Sequence, residues 1–284
     1  MSNESIYKSP AGERAIMTQY DALLRRWPVP YTPLEVPTRY GNTFVIASGN
    51  ETAPPLVLLH GAGSNSAMWA GDVGEYNRYY RVYAVDLLGE PGKSAPVRPN
   101  WNSPAYAEWL SDVLDALKVE KAVIIGLSQG GWTALKLATT QPQRVDKLVL
   151  LTPGGITPDR MSFALRAILF TFLGRWGIER INRMVFNHQP IPEEVNAVIT
   201  LIMTHFRSRM GVLPIFSDEE LRRLTMPTLL LIGQEDALRD ARKIAERMRK
   251  LVLQLTAIII PQAGHALYNT TSFVMPFLAA SEGA

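Results

Sequence analysis

The sequence predicts an α/β fold, with a mostly parallel central sheet and flanking helices on both of its faces. Short apolar segments of strand length, such as residues 56–60 and 147–151, alternate with longer segments of helical pattern. Strands buried on both faces are typical of parallel sheets, and helices are the usual connections between such strands. With 284 residues, 47% of them hydrophobic, the chain is long and apolar enough to bury the core that this fold requires.

The individual elements follow from the period of the apolar residues and from the positions of glycine and proline. The predicted strands are 43–48, 56–60, 81–86, 122–125, 147–151, 227–233 and 255–260. The predicted helices run to about residue 26, over 103–117, from the turn at 126–130 to about residue 140, and over 239–250, with a last one after residue 266. Prolines at positions 28 and 30 end the first helical pattern.

The alternation of strands and helices stops between residues 154 and 225. This segment has no strand pattern, and its helical pieces are divided by glycines and prolines. We therefore predict two domains. Residues 1–153 and 226–284 form the core domain, and residues 154–225 form a helical cap, or lid, inserted after the sixth strand.

The helix predicted at 239–250 is rich in arginine and lysine. Its apolar residues Ala241, Ile244, Ala245 and Met248 recur at helical spacing, which predicts one buried stripe and one solvated basic face. The formal net charge of +3 is too small to indicate nucleic-acid binding by itself. We therefore expect no nucleic-acid partner.

The composition also limits where in the cell the protein is expected and which catalytic or metal-binding residues it can use. The chain has no cysteine, which excludes disulfides, thiolate nucleophiles and cysteine zinc sites. The first ten residues have no apolar core of the kind found in signal peptides. The longest apolar run, 161–173, is too short to span a bilayer and contains Arg166. We expect a cytoplasmic protein without an integral membrane segment, and the sequence leaves its oligomeric state open.

The segment Gly126-Leu-Ser-Gln-Gly130 stands between a predicted strand and a predicted helix. A Gly-x-Ser-x-Gly turn in this context resembles the nucleophile elbow of the α/β-hydrolases. The turn is so tight that only small residues fit two positions before and after the serine, and it raises the serine hydroxyl above the sheet. Ser128 is therefore the predicted nucleophile.

A serine hydroxyl needs a base within hydrogen-bond reach and an acid that orients the base. In the α/β-hydrolases these follow in the order serine, acid, histidine. His265 follows the last predicted strand, and Asp236 follows the strand before it, so we predict these two as base and acid. Glu235 and Asp240 are the rival acids, and Asp236 could instead cap the next helix.

The turn His60-Gly-Ala-Gly63 follows the strand 56–60. In the α/β-hydrolases the oxyanion hole consists of one backbone N–H from this loop and one from the residue after the nucleophile. By position these donors are Ala62 and Gln129. The loop 86–94 resembles the Asp-x-x-Gly-x-Gly-x-Ser loop of the same proteins, and we interpret it as structural, with Asp86 binding backbone groups.

A closer resemblance is carried by residues 27–29, 38–49, 53–62 and 83–86. These segments are similar to bacterial carboxylesterases of the naproxen-esterase type, and the chain resembles the α/β-hydrolase superfamily over essentially its whole length. The resemblance implies a helical cap, no cofactor or metal, and hydrolysis of small-molecule carboxylic esters. Two features depart from the family: its triad acid is often glutamate, and its final helix is usually longer.

These residues together predict a serine carboxylesterase that acts through an acyl-enzyme intermediate. Haloalkane dehalogenases and epoxide hydrolases are disfavoured, because they carry aspartate where this chain has Ser128. Lactone hydrolysis, C–C bond hydrolysis, perhydrolysis and lipase activity use the same serine and stay open, as does a non-catalytic ligand receptor. The candidates for the wall of the substrate pocket are the aromatic residues Trp69, Trp132, Phe163 and Phe170.

Overall fold

A computed structural model describes residues 5–209, 211–267 and 269–280, and its central feature is one eight-stranded sheet. The strands in chain order are β1 (Tyr31–Thr38), β2 (Gly41–Ser48), β3 (Pro55–Leu59), β4 (Arg81–Val85), β5 (Ala122–Leu127), β6 (Val145–Leu151), β7 (Thr228–Gly233) and β8 (Leu255–Ile260). Their order across the sheet is β1-β2-β4-β3-β5-β6-β7-β8. β2 is antiparallel to both of its neighbours, and the other pairs are parallel. The predicted mostly parallel sheet is confirmed.

The seven predicted strands are all present, with ends that differ by a few residues. β3, β5, β6 and β7 lie in the middle of the sheet and are buried almost throughout. Helices cover both of their faces, which explains why these strands are continuous apolar runs in the sequence.

β1 was not predicted, because its sequence contains Pro33 and Pro37. Proline has no N–H to donate and is excluded from central strands. β1 lies at the edge of the sheet and pairs only with β2, opposite Ile46 and Asn42 at the two prolines. In an edge strand, the backbone N–H and C=O groups that point away from the sheet have no partner strand. A proline can therefore occupy such a position without breaking a hydrogen bond of the sheet.

Helices connect the strands and pack on the two faces of the sheet. The α-helices of the described residues are α1 (Pro10–Arg25), α2 (Val73–Tyr76), α3 (Ala105–Ala116), α4 (Gln129–Thr140), α5 (Met161–Thr171), α6 (Gly174–Val185), α7 (Glu193–His205), α8 (Asp218–Leu221), α9 (Ala241–Leu251) and α10 (Thr271–Ala279). Two 3₁₀ helices cover Ser66–Gly71 and Pro142–Arg144. Among the helices of the residues described, none is both long and apolar enough to cross a bilayer.

The basic helix α9 has the predicted amphipathic form. Ala241, Ile244, Ala245 and Met248 are buried against the sheet, and most of its basic residues are exposed. Asp240 was expected inside this helix, but it is the N-cap, and its carboxylate accepts a hydrogen bond from the backbone N–H of Lys243.

The segment between β6 and β7 contains α5 to α8 and, within its described residues, no strand. Its last helix begins with a capping box, in which Ser217 and Glu220 bind each other's backbone N–H groups. The N-terminal part of the chain also touches this segment, because Tyr7 forms an isolated β-bridge with Phe206. Residues assigned by prediction to the core domain therefore contact residues assigned to the cap.

Candidate active site

Ser128 lies at the junction of β5 and α4, one residue after the strand ends. Its backbone has φ +51° and ψ −106°, a conformation that is strained for any residue other than glycine. Its N–H donates to Leu151 O at 2.9 Å, and its carbonyl accepts from the N–H groups of Trp132 and Gly154. These three bonds hold the strained turn in place.

The glycines two residues before and after Ser128 are required by close packing. A methyl group built on Gly126 would lie 2.5 Å from the carbonyl oxygen of Gly130, and one built on Gly130 would lie 2.2 Å from that of Leu59. No side chain larger than hydrogen fits at either position. The spacing Gly-x-Ser-x-Gly therefore reflects the geometry of this turn.

The side chains of Ser128, His265 and Asp236 form one hydrogen-bonded row. His265 Nε2 lies 3.1 Å from Ser128 Oγ, and His265 Nδ1 lies 2.9 Å from Asp236 Oδ2. All three residues follow the carboxyl ends of parallel strands, which bring them to the same edge of the sheet although they are 137 residues apart at most. A neutral imidazole with its proton on Nδ1 would donate to Asp236 and leave Nε2 free to accept the serine proton.

Asp236 is fully buried, and its second oxygen accepts hydrogen bonds from the N–H groups of Leu238 and Arg239. Burial alone would raise the pKa of its carboxyl, but the His265 imidazole and the Arg239 cation outweigh burial and hold that pKa below its ordinary value. Asp236 is therefore ionised at neutral pH. Of the rival acids, Asp240 caps α9 and Glu235 is exposed.

His60 has a structural position and lies outside this row. It is fully buried, and its Nε2 accepts a hydrogen bond from Leu87 N at 2.9 Å while Nδ1 lies 2.8 Å from Gly61 O. Burial lowers the pKa of His60, so it stays neutral and ties the loop after β3 to the loop after β4.

The loop after β3 passes directly beside the serine. A methyl group built on Gly61 would lie 3.7 Å from Ser128 Cβ, so the residue before Ala62 packs beside the predicted nucleophile. Gln129 is the first residue of α4, where a backbone N–H has no acceptor within the helix. The assignment of the Ala62 and Gln129 N–H groups as the donors of an oxyanion hole stays a prediction.

Residues 56–273 match the model of the alpha/beta hydrolase family. The chain belongs to this family. It is 36% identical to the uncharacterized carboxylesterase nap of Bacillus subtilis, over 87% of this chain and 85% of that one. It is 32% identical to the carboxylesterase YbfK of the same organism, over 87% of this chain and 86% of that one. The crystal structure of naproxen esterase (carboxylesterase NP) from Bacillus subtilis superposes with a TM-score of 0.85 at 32% identity, covering 95% of this chain and 99% of that one. The predicted resemblance is confirmed.

In this hydrolase a buried carboxylate links the loop after β3 to the side chain of Gln129, a contact that was not predicted from the sequence. Glu90 Oε2 accepts from the N–H of Gly63 at 2.7 Å, and its Oε1 accepts from the side-chain amide of Gln129 at 3.1 Å. Burial raises the pKa of Glu90 to about 7, although these hydrogen bonds and the cations Arg98 and Arg209 oppose the rise. No motif marks this position, because the loop pattern that residues 86–94 resemble specifies no residue type there.

Replacing Glu90 with glutamine is expected to change how the stability of this hydrolase depends on pH. The raised pKa means that the folded state binds the proton of Glu90 more tightly than the unfolded chain does. The free energy of unfolding should therefore fall as pH rises from about 4.5 to about 7, by about 3 kcal/mol from this group. Glutamine has no proton to lose, and the amide of Gln129 can flip to keep both contacts.

Urea titrations of both proteins at several pH values measure this effect. Other groups also titrate in this range, including Asp72, whose pKa burial raises to about 6. They change the free energy of unfolding of both proteins equally, so their effect cancels when one value is subtracted from the other. The wild-type value minus the Glu90→Gln value should decline across this pH range. Two curves that stay parallel would show that Glu90 does not titrate there.

A buried cation, which no sequence motif predicted, also touches the predicted nucleophile Ser128. Arg239 is 3% exposed, and its Nη1 lies 2.7 Å from Thr152 O and 3.3 Å from Ser128 Oγ. Its Nε donates to Asp159 Oδ1 at 2.9 Å, which provides the anionic partner that a buried cation needs. No spacing rule relates an arginine to a nucleophile 111 residues earlier, so only the folded chain shows this contact.

The predicted pocket aromatics lie in different surroundings. Trp69 and Trp132 are 1% and 0% exposed, and each belongs to a large hydrophobic cluster of the core, so we correct their assignment to the pocket wall. Large rings at such positions fill the space between helix and sheet. Phe163 lines a cavity of about 220 Å³ that also borders Glu235 and Ala237, the two neighbours of Asp236. Phe170 packs edge-on against Trp176 within the helical segment.

Among the described residues, no group of three or more histidine, aspartate or glutamate side chains is placed to hold a metal ion. The loop after β4 has the structural form expected from its sequence. Asp86 accepts hydrogen bonds from the N–H groups of Ser66 and Lys93 and from the hydroxyl of Tyr20. This buried carboxylate joins three segments of the chain beneath the site.

Proposed function

We propose that this protein is a serine carboxylesterase that hydrolyses small-molecule carboxylic esters through an acyl-enzyme intermediate. The observation that carries the proposal is the hydrogen-bonded row of Ser128, His265 and Asp236 on a strained strand-to-helix turn. The relatives named carboxylesterase, at 36% and 32% identity over most of the chain, support the same reaction class.

In the first half of the reaction, Ser128 Oγ attacks the ester carbonyl carbon while His265 Nε2 takes the hydroxyl proton. Asp236 holds the imidazole in the required tautomer and stabilises the imidazolium. The backbone N–H groups of Ala62 and Gln129 bind the oxyanion of the tetrahedral intermediate. His265 then protonates the departing alcohol, and the acyl group stays on Ser128.

In the second half, His265 takes a proton from water, and the resulting hydroxide attacks the acyl carbonyl. The bond between the acyl carbon and Ser128 Oγ breaks, and the proton on His265 passes to Oγ. The products are the carboxylic acid and the free serine. No cofactor or metal enters these steps.

The test is turnover of a panel of p-nitrophenyl esters by the wild-type protein beside the Ser128→Ala variant. The proposal requires measurable hydrolysis that depends on Ser128. A panel in which no ester is hydrolysed, or in which the variant keeps wild-type turnover, contradicts it.

Arg239 has a defined place in this mechanism, because a guanidinium can donate hydrogen bonds but cannot accept them. With Arg239 donating to Ser128 Oγ, the serine must direct its own proton elsewhere, and His265 Nε2 is the acceptor beside it. In the acyl-enzyme, Oγ is an ester oxygen and a poorer acceptor. The bond to Arg239 therefore strengthens most when Oγ departs with its electron pair during deacylation.

Replacing Arg239 with methionine is expected to lower kcat by about tenfold or more, because a hydrogen bond from a charged group is lost at the step where it is strongest. Deacylation should slow more than acylation, so the variant should release a stoichiometric burst of p-nitrophenol followed by slow turnover. Stopped-flow absorbance measures both phases, and the burst amplitude counts the folded active sites.

Asp159→Asn is the matched control, since its amide oxygen can still accept from Arg239 while the contact with Ser128 stays in place. It should keep kcat near the wild-type value. Arg239→Lys, which retains the charge on a shorter side chain, should recover part of the activity. If Arg239→Met slows acylation and deacylation equally, the guanidinium only supports the local structure.

A further inference from the structure

The outer side of α5 exposes a row of large apolar side chains. The row, called here the α5 patch, consists of Met161, Leu165, Ile168, Leu169, Phe172, Leu173 and Trp176. Their separations of three and four residues place the helical members on one side of α5. Phe172 is 82% exposed and Leu165 is 62% exposed. Continuous exposed apolar surface is uncommon on monomeric proteins and usually marks an interaction site.

The inner side of α5 is apolar as well. Phe163, Ala164, Ala167 and Phe170 are partly buried, and Phe163 borders the cavity beside the residues that flank Asp236. Apart from Ser162, Arg166 and Thr171, every residue of α5 is apolar. A helix with apolar residues on most of its sides is normally covered by protein or by lipid. In the described part of the chain, nothing covers the outer side of α5.

The charge around the α5 patch identifies its partner. Residues 160–185 contain five arginines and one glutamate, a net charge of +4, whereas the whole chain has a net charge of +3. All five arginines are exposed: Arg160, Arg166, Arg175, Arg180 and Arg183. The guanidinium of Arg180 lies 4.8 Å over the ring of Trp176, so the positive charge directly adjoins the patch.

Apolar side chains with a basic border match the chemistry of an anionic lipid surface, where acyl chains lie beneath negative headgroups. A second copy of this chain fits less well, because a symmetric contact through the patch would bring two segments of charge +4 together. Tryptophan beside arginine is also typical of membrane interfaces. We propose that the α5 patch docks on the surface of membranes that contain anionic lipids.

This inference goes beyond ester hydrolysis and does not depend on it. Binding is best measured with the full-length Ser128→Ala protein, so that no ester in the membrane can be consumed. The probes are vesicles of phosphatidylcholine alone and vesicles that also contain phosphatidylglycerol, and the readout is co-sedimentation. The protein should sediment with the anionic vesicles, and the bound fraction should fall as salt is added.

The double variant Leu169→Ser/Phe172→Ser should weaken binding at least about tenfold, because two apolar side chains no longer enter the lipid. Arg175→Gln and Arg180→Gln should each weaken it by about fivefold. Leu253→Ser is the matched apolar control, since Leu253 is fully exposed far from α5 in the sequence. Arg242→Gln, on the exposed basic face of α9, is the matched charge control, and both controls should bind as the parent does.

Three outcomes would overturn the proposal. The protein could stay in solution with both kinds of vesicle. The control variants Leu253→Ser and Arg242→Gln could lose as much binding as the patch variants, which would show that binding is not specific to the α5 patch. Light scattering could show a dimer that the Leu169→Ser/Phe172→Ser variant dissociates, which would make the patch a contact between copies. Circular dichroism of each variant shows whether it is folded. Ester turnover is measured on the same patch variants with Ser128 in place, so that a failure of membrane binding can be distinguished from a failure of ester hydrolysis.

Discussion

Replacing Ser128 with alanine is expected to lower kcat for a p-nitrophenyl ester by about a millionfold, to the activity left by substrate binding and the oxyanion donors. The loss is this large because no other group can form the acyl-enzyme at this position. The change removes one oxygen atom from a residue whose turn is held by backbone bonds to Leu151, Trp132 and Gly154. The fold and its thermal midpoint should therefore stay close to those of the wild type.

Ser272→Ala is the matched control for this substitution. Ser272 is exposed at the start of α10, and its hydroxyl bonds only locally, to Asn269 O at 2.8 Å. Its removal should leave kcat unchanged. Steady-state kinetics measure both variants, and reaction with a fluorophosphonate should modify the wild type at Ser128 and fail to modify Ser128→Ala. Residual activity above about a hundredth of the wild-type value would point to another nucleophile.

Replacing Asp236 with asparagine is expected to lower kcat by about 10⁴-fold. Asparagine can keep the hydrogen bonds from the N–H groups of Leu238 and Arg239, so the loop should hold its shape. Its amide has no negative charge to stabilise the His265 imidazolium, and it can donate to Nδ1, which favours the tautomer with its proton on Nε2. That proton would block transfer from Ser128.

The same substitution four residues later provides the control. Asp240 is the N-cap of α9, and asparagine caps helices about as well as aspartate. Asp240→Asn should keep both activity and stability, whereas Asp236→Asn should lose activity alone. If Asp240→Asn or Glu235→Gln proves to be the inactive variant, the acid of the site has been assigned to the wrong residue.

The local sequence pattern was sufficient to predict those features of the fold that depend on residues near one another in the sequence. The strands β2 to β8 were predictable because apolar runs of strand length are informative in a parallel sheet. The stripe of α9 was predictable for the same reason, since helical spacing alone determines its buried face. The turn at Ser128 was recognisable because its two glycines are demanded by contacts of less than 3 Å within and beside the turn itself.

The local sequence pattern was misleading where the position of a residue in the sheet or in the core decides its structure. The prolines of β1 argue against a strand, and only the edge position of β1 makes them compatible with one. Trp69 and Trp132 carry no sequence mark that distinguishes a core ring from a pocket ring. Trp132 is buried because Tyr106 and Phe216, from distant parts of the chain, pack against its ring.

The sequence alone was enough to predict the family, seven of the eight strands of the sheet and the three residues proposed as nucleophile, acid and base. Each of these follows from residue type and from position after a strand, which are local properties. The tertiary structure decided the groups that surround them. Arg239 reaches Ser128, and Glu90 joins Gly63 to Gln129, only because separate loops meet at the carboxyl edge of the sheet. The exposure of the α5 patch was also decided there, since burial depends on which surfaces the rest of the chain covers.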